Sequence, residues 1–142
     1  RGLGEVVSLI AAAGVFAAGM EVIGLIPALI TAMESNPAIA IYAAAFGPAA
    51  IAALAGSGDA AAMAFHSAVT PHVADLGLDP SSIGSLASMC GAFGRTMSPV
   101  AGVTIICAGF AKVNPIDLSK RIALFSIGAI IIGIIMLGYI YQ

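Results

Sequence analysis

The stretch Ala55–His66, AGSGDAAAMAFH, places two glycines, an aspartate and a histidine inside an otherwise apolar segment. Two glycines within three residues release the backbone from helical angles. The apolar run that follows, Ala60 to Val69, is only about 15 Å long as a helix and cannot cross a hydrocarbon core of about 30 Å. We therefore expect a re-entrant hairpin over residues 38–69, with its tip at residues 56–59.

The composition indicates the medium in which this hairpin folds. The chain is 61% hydrophobic and 8% charged, whereas soluble domains carry roughly 25% charged residues. Abundant glycine and alanine allow helices to pack closely within lipid. A net charge of −2, without a basic cluster, argues against nucleic acid as a partner. We therefore expect an all-α integral membrane protein in a lipid bilayer.

Three further membrane segments are predicted around the hairpin. Transmembrane helices are expected at residues 6–33 and 120–141, and a broken transmembrane helix is expected over residues 81–111. The break in that helix is GRTMSP, residues 94–99. Irregular backbone is tolerated at membrane depth only where protein buries it or a water-filled cavity faces it. The hairpin tip and this break are therefore expected to meet at the midplane and to form one site.

The charged residues fall at opposite ends of this scheme. One end holds the basic residues Arg1, Lys112, Lys120 and Arg121, and the other holds the acidic residues Glu34, Asp75 and Asp79. Loops rich in lysine and arginine face the cytoplasm. The basic end is therefore expected to be cytoplasmic.

A family resemblance covers residues 56–124 most clearly. The sequence GSGDAAAMAFHSAVTPHVADLGLDPSS, continuing through GRTMSPVAGVTIICAGFAKVNPIDLSKR, resembles the C-terminal portion of the DcuC family of anaerobic C4-dicarboxylate carriers. More distantly, it is similar to the ion transporter superfamily. The resemblance implies the C-terminal inverted repeat of an elevator-type carrier, with the other half of the site supplied by an N-terminal half of the same protein.

The resemblance also implies a function and a location. The expected activity is secondary transport of succinate, fumarate or malate by uptake, exchange or efflux across the bacterial cytoplasmic (inner) membrane. No cofactor is implied beyond a coupling ion, H⁺ or Na⁺, and a homodimer is a compatible assembly. A carrier for a different organic anion is the alternative within the same class.

The site residues that the resemblance implies lie at the two breaks. Ser57 and the Gly58 amide match the hairpin-tip site, and Thr96, Ser98 and Pro99 match the second loop. These positions are expected to contact a substrate carboxylate or a coupling ion.

Two charged residues adjoin these positions. An acid such as Asp59 is costly at membrane depth unless it is paired, hydrated or protonated, and Arg95 is its expected partner. Arg95 then either receives a substrate carboxylate, with Asp59 balancing the charge or carrying a proton, or the two form a structural ion pair.

Two further ionisable residues are candidates for a proton relay. His66 lies about two helical turns beyond Asp59 and shares its face; the alternative is a histidine bonded to a backbone carbonyl. Glu21 falls in the first span and is either a second proton site or a residue facing a hydrated cavity.

An intramembrane aspartyl protease is the alternative from another class. GSGD fits the Gly-x-Gly-Asp pattern, and Pro27–Leu29 supplies Pro-Ala-Leu. The order is reversed relative to presenilin-like proteases, and the predicted spans contain no second aspartate to share a proton and activate water. We therefore expect a carrier and not an enzyme.

Overall fold

The computed structural model describes residues 4, 7–8, 11–12, 14–15, 18–19, 22–36 and 38–140. The helices with defined bounds are α1 Leu25–Ser35, α2 Ala38–Ala55, α3 Gly58–Ala68, α4 Thr70–Val73, α5 Pro80–Thr96, α6 Gly102–Ala111 and α7 Pro115–Ile140, with a 3₁₀ turn at Ala74–Leu76. No strand occurs among the described residues. The predicted all-helical class is confirmed, and α2 and Pro115–Leu137 of α7 are each long and apolar enough to cross a membrane.

Helix α5 lies at the centre of the bundle, and α2 and α3 pack on it side by side. A Cβ atom on Gly91 would lie 3.7 Å from Pro48 Cβ on α2 and 3.0 Å from the Gly58 carbonyl oxygen on α3. Only glycine permits this approach, because the atoms that a methyl group would meet include backbone.

The contacts along α5 give the directions of its neighbours. Further along α5, Gly94 contacts the backbone of Ala49, one residue after Pro48. Helix α2 therefore runs parallel to α5. In contrast, His66 near the end of α3 contacts Gly84 near the start of α5, so α3 runs antiparallel to both and folds back along α2.

Helix α7 packs on α5 in the opposite direction to it. The hydroxyl of Ser126 lies 3.1 Å from that of Thr96 at the end of α5, and a Cβ on Gly133 would lie 3.3 Å from Leu86 Cδ1. The later part of α7 therefore returns toward the end at which α5 begins.

The core consists largely of small side chains. On α2, a run of buried alanines faces the bundle, and larger residues from the other helices surround it: Met33, Phe65, Val73, Ile83, Leu86, Ile130 and Leu137. Alanine at Ala40, Ala44, Ala45, Ala49 and Ala52 lets neighbouring backbones come close, as membrane helices require.

Several predicted boundaries shift. At the tip, only Gly56 and Ser57 are non-helical, and residues 58 and 59 open α3. Helix α5 continues through Thr96, and α6 begins at Gly102, so the predicted break at 94–99 is corrected to 97–101. Gly94 remains helical because its missing Cβ serves packing rather than turning.

Two further expectations change in detail. The break divides the α5–α6 pair unequally, into about 25 Å and about 15 Å of helix, rather than at its middle. The last helix begins at Pro115, before the predicted residue 120, where Asn114 accepts a hydrogen bond from the Ile116 amide. Within the predicted span 6–33, bounds are defined only for α1, which follows Gly24 in the left-handed conformation (φ 77°).

Candidate substrate site at two helix breaks

The tip between α2 and α3 lies directly against the break between α5 and α6. Gly56 has a φ of 72°, and a Cβ there would lie 3.1 Å from the Ala101 nitrogen and 3.2 Å from the Val100 carbonyl carbon. Positive φ and the close backbone both require glycine at this position. The structure thus brings together two breaks that lie far apart in the sequence.

At the tip, Ser57 and Gly58 have different local roles. Ser57 is the N-cap of α3, and its hydroxyl oxygen accepts a hydrogen bond from the Ala60 amide at 3.3 Å. Gly58 is buried, and a Cβ on it would lie 2.8 Å from the Gly91 carbonyl oxygen. Ser57 therefore fixes where α3 begins, while Gly58 brings that end of the helix against α5.

In the second break, Ser98 and Pro99 shape the backbone. Ser98 is completely buried; its amide donates to the Arg95 carbonyl at 3.1 Å, and its hydroxyl oxygen accepts from the Val100 amide at 3.3 Å. Pro99 is half-buried. Ser98 thus holds the turn that ends α5.

Thr96 contacts the last helix. Its hydroxyl donates to the Phe93 carbonyl at 2.7 Å and lies 3.1 Å from the Ser126 hydroxyl. Because the Thr96 proton already goes to Phe93, Ser126 is the donor in the second contact. Thr96 is therefore an anchor between α5 and α7.

Helices α3 and α6 both begin at this junction. No side chain caps the N-terminus of α6. In the part of the chain that the structure describes, the amides of Gly58 and Asp59 have no hydrogen-bond acceptor. Each helix N-terminus carries roughly half a positive charge, so the junction presents free N–H groups and partial positive charge from two helices.

A cavity of about 350 Å³ adjoins the junction. Arg95, Thr96, Ala101 and Thr104 contribute to its lining, together with apolar residues of α6 and α7. Because Ala101 also contacts the hairpin tip, the cavity extends from that contact toward α7. Arg95 thus brings a full cation to a space bounded by the start of α6.

The expected pair between Asp59 and Arg95 is not formed. Both side chains are exposed, and no ion pair joins them within residues 38–140. Asp59 lies in the first turn of α3 and Arg95 in the last turn of α5, where each charge is favourable toward its own helix dipole. The ion-pair interpretation is therefore wrong for this structure.

His66 has partners other than those expected. Its Nδ1 lies 3.2 Å from the Thr70 hydroxyl, and its Nε2 lies 3.0 Å from the Ser88 hydroxyl on α5. Neither a backbone carbonyl nor Asp59 bonds to it, so both the carbonyl interpretation and a direct relay to Asp59 are corrected. The other relay candidate, Glu21, lies outside the described residues.

Most charged residues of the described chain fall at opposite ends of the helices; the exceptions are Asp59 and Arg95 at the junction and Asp117 among the basic residues. Glu34, Asp75 and Asp79 lie near the starts of α2 and α5. Beyond the break, Lys112 lies at the end of α6, and Lys120 and Arg121 lie near the start of α7. Because α2 and α5 run parallel, this separation follows the helix directions. Among the described residues, no group of three His, Cys, Asp or Glu side chains is placed to hold a metal ion.

Two sets of polar residues in the structure are not among the candidates that the sequence predicts. Ser81, Ser85 and Ser88 lie on one face of α5, beside His66, and their i, i+4, i+7 spacing was an available signal. Ser126 is buried on α7, and nothing in the apolar sequence around it indicates a hydrogen-bonding role.

Comparison with known proteins identifies a family. The model of the DcuC family, described as C4-dicarboxylate anaerobic carrier, matches residues 2–141. The expected family is thereby confirmed, and the family is described as one of carriers rather than enzymes. No solved structure matches the chain with statistical significance.

Curated relatives from three bacteria show the same relationship. An uncharacterised transporter of Haemophilus influenzae is 44% identical over 84% of this chain and 43% of its own length. A Vibrio cholerae protein named "probable anaerobic C4-dicarboxylate transporter DcuC" is 37% identical over 93% of this chain and 30% of its own. The anaerobic C4-dicarboxylate transporter DcuC of Escherichia coli K12 is 35% identical over 82% of this chain and 26% of its own. The chain therefore spans less than half the length of each of these relatives.

Proposed function

Because the chain belongs to the DcuC family of C4-dicarboxylate anaerobic carriers, we propose that it forms one transport half of a secondary carrier for C4-dicarboxylates. The substrates are of the succinate, fumarate and malate type, moved by uptake, exchange or efflux across the bacterial cytoplasmic membrane. In this proposal α2 and α3 are a re-entrant hairpin, and α5 with α6 is a broken transmembrane helix.

The observation that carries the proposal is the contact between Gly56 and Ala101. It sets the N-termini of α3 and α6 side by side, with amide N–H groups available to donate hydrogen bonds to a carboxylate. One substrate carboxylate binds the amides at the start of α3 and α6. Ser57, Ser98 and Pro99 keep those helix ends in place.

Arg95 supplies the full positive charge that a dicarboxylate needs. Helix ends offer only partial charges, and the planar guanidinium binds a carboxylate through two parallel hydrogen bonds. Asp59, in the first turn of α3, places a negative charge near the same helix end. The substrate therefore binds when Asp59 is turned away, and Arg95 outweighs the remaining repulsion.

The remainder of the carrier comes from outside this chain. We propose that it is the C-terminal inverted repeat of an elevator-type protein, and that an N-terminal half supplies a second hairpin and the other part of the site. Large apolar side chains are exposed on α6 and α7, including Val103, Ile106, Phe110, Phe125 and Ile132. These faces suit lipid, the other half, or a second copy in a homodimer.

The orientation of this half is tested by cysteine labelling in intact cells. With the basic end cytoplasmic, a cysteine at Asp75 reacts with an impermeant thiol reagent added outside, and a cysteine at Lys120 does not. Labelling at Lys120 alone would reverse the orientation.

The function itself is tested with the full-length protein in proteoliposomes. Radiolabelled succinate should accumulate, and unlabelled fumarate and malate should compete, whereas butyrate, with one carboxylate, should not. Transport of a different radiolabelled organic anion, with no succinate transport, would instead support the carrier for a different organic anion. This comparison of substrates is needed because one similar protein is a transporter whose name gives no substrate.

A further inference from the structure

A second polar region lies away from the proposed substrate site, between α3, α4 and the start of α5. It is an open cleft of about 530 Å³ lined by His66, Thr70, Pro80, Ser81, Gly84, Ser85 and Ser88. Four of these residues carry hydroxyls, and His66 is the one titratable residue among them. A polar cleft with a central imidazole is unusual in so apolar a chain.

The structure makes room for the imidazole and gives both of its nitrogens a partner. Residue 84 is glycine, and a Cβ there would lie 3.1 Å from His66 Cε1. The ring bonds to Ser88 on α5 and to Thr70 beside α3. The imidazole therefore links the hairpin to the central helix.

Hydroxyl partners suit both protonation states of this ring. In neutral imidazole one nitrogen donates and the other accepts, whereas the protonated ring donates from both; a hydroxyl can serve as donor or acceptor. When the ring gains a proton, the hydroxyl that donated to it rotates to accept. Ser88 is exposed, so its own proton then turns to water.

The surrounding charges favour a proton in this cleft over a dicarboxylate. The cleft opens where α5 begins, at the acidic end with Glu34, Asp75 and Asp79. Negative potential concentrates cations and repels anions. The cleft also contains no arginine or lysine to bind a carboxylate.

Among the residues that the structure describes, no other titratable group bonds to this histidine. On the elements packed against α3, these groups are Tyr42 on α2, His72 on α4, and Cys90 and Arg95 on α5. None of them lines the cleft or bonds to the ring. Asp79, next to Pro80, directs its carboxylate to the amides of residues 81 and 82.

We propose that His66 is a proton-binding site on the hairpin, loaded from water in the cleft, and that its proton travels with the dicarboxylate. This inference rests on the proposed function. Hydronium in the cleft gives one proton to the unprotonated ring nitrogen and leaves water; on the other side of the membrane the ring returns it to water. Both N–H groups of the charged ring bond to Ser88 and Thr70 while it is loaded.

The test separates net uptake from exchange in proteoliposomes holding the full-length protein. Imidazole side chains gain and lose protons between about pH 5 and pH 8, so an inward proton gradient across that range should accelerate net succinate uptake by the wild type. In His66→Gln, whose amide keeps hydrogen bonding without titrating, succinate exchange at equal pH should remain. The stimulation by the gradient, and proton entry seen with an internal pH dye, should be lost.

Matched variants keep the result specific. Ser85→Ala, in the same cleft but without a bond to the ring, and His72→Gln should both behave as the wild type. Gly84→Ala keeps the histidine and displaces the ring, so it should weaken coupling even if His66→Gln fails to fold. If both His66→Gln and Gly84→Ala exchange succinate and let protons enter as the wild type does, this inference is overturned and the proposed function stands. Absence of succinate exchange by the wild type overturns the proposed function and this inference with it.

Discussion

Helix α5 packs against the hairpin and against α7 in two different ways. On the hairpin side, Gly91 and Gly94 bring backbone against backbone, with no space for a methyl group. On the α7 side, the contacts are between side chains, as in the Thr96–Ser126 hydrogen bond. The hairpin interface depends on glycines that lack a Cβ atom, whereas the α7 interface depends on side chains that form hydrogen bonds. The hairpin and α5 should therefore behave as one rigid unit, while α7 can adjust by side-chain rotation.

The largest expected effect comes from adding a methyl group to the backbone interface. In Gly94→Ala, the new Cβ would lie 2.7 Å from Ala49 Cα and would also meet the Ala49 carbonyl oxygen. Backbone atoms cannot move aside as a side chain does, and overpacking costs about 1–3 kcal/mol. Thermal unfolding of the purified full-length protein should show a clearly lowered midpoint.

The matched control for that change is Gly128→Ala on α7, where nothing lies within 4 Å of the added Cβ. Its midpoint should equal or exceed that of the wild type, because alanine favours helix. Equal midpoints for Gly94→Ala and the wild type would show that the hairpin is not held by backbone contact.

A smaller effect is expected at the side-chain interface. Ser126→Ala removes the donor to Thr96, and hydrogen bonds between membrane helices contribute about 0.6 kcal/mol on average. Ser119, also buried on α7, has a hydroxyl without a partner among the described residues, so Ser119→Ala should leave stability unchanged or raise it. If the two alanine variants unfold alike, the Thr96–Ser126 bond does not stabilise this interface.

The smallest effect is expected at the exposed start of α5, outside both interfaces. The Asp79 carboxylate accepts from the Ser82 hydroxyl at 2.7 Å and from the Ser82 and Ser81 amides at 3.0 and 3.2 Å. These bonds, the Ser82 hydroxyl first, lower the pKa of Asp79 below its ordinary 3.8. The ionised Asp79 carboxylate therefore stabilises the folded state fully at pH values above its ordinary pKa. This stabilisation is lost as the pH falls through the lowered pKa of the folded state.

The measurement for Asp79 is the unfolding midpoint between about pH 6 and pH 3. Asp79→Asn keeps a capping side chain and should remove this group's share of the pH dependence. Asp79→Ala should lower the midpoint slightly at the higher pH. An unchanged pH profile in Asp79→Asn would show that the carboxylate does not stabilise the start of α5.

The sequence was sufficient for the all-helical class and for the existence of both breaks, because glycine, proline and loss of apolar character mark the breaks locally. The second break was predicted too early in the sequence, because a glycine such as Gly94 looks the same in the sequence whether it turns the chain or lets a neighbouring helix pack closely. Only the position of Ala49 distinguishes these uses.

The site was less predictable because its geometry is tertiary. Arg95 and Asp59 were paired by charge alone, whereas each interacts favourably with its own helix end. Ser88, one partner of His66, and Ser126, one partner of Thr96, lie on other helices, 22 and 30 residues away in sequence. Such contacts depend on helix directions that a local pattern does not contain.

Succinate binding to the purified full-length protein tests the central claim most directly, with Arg95 and Asp59 varied together. A hydrogen bond to a charged group contributes about 1.5–3 kcal/mol, so Arg95→Gln should weaken binding by about 10- to 100-fold. The affinity of Arg95→Lys for succinate should lie between those of the wild type and Arg95→Gln, because lysine keeps the charge but not the planar fork. The double variant Arg95→Gln with Asp59→Asn should bind somewhat better than Arg95→Gln alone, because the repulsion from Asp59 is removed, but it should stay well below the wild type, since the substrate still lacks its cation. Wild-type affinity in the double variant, at equal folded yield, would contradict the account and return Arg95 to a purely structural role.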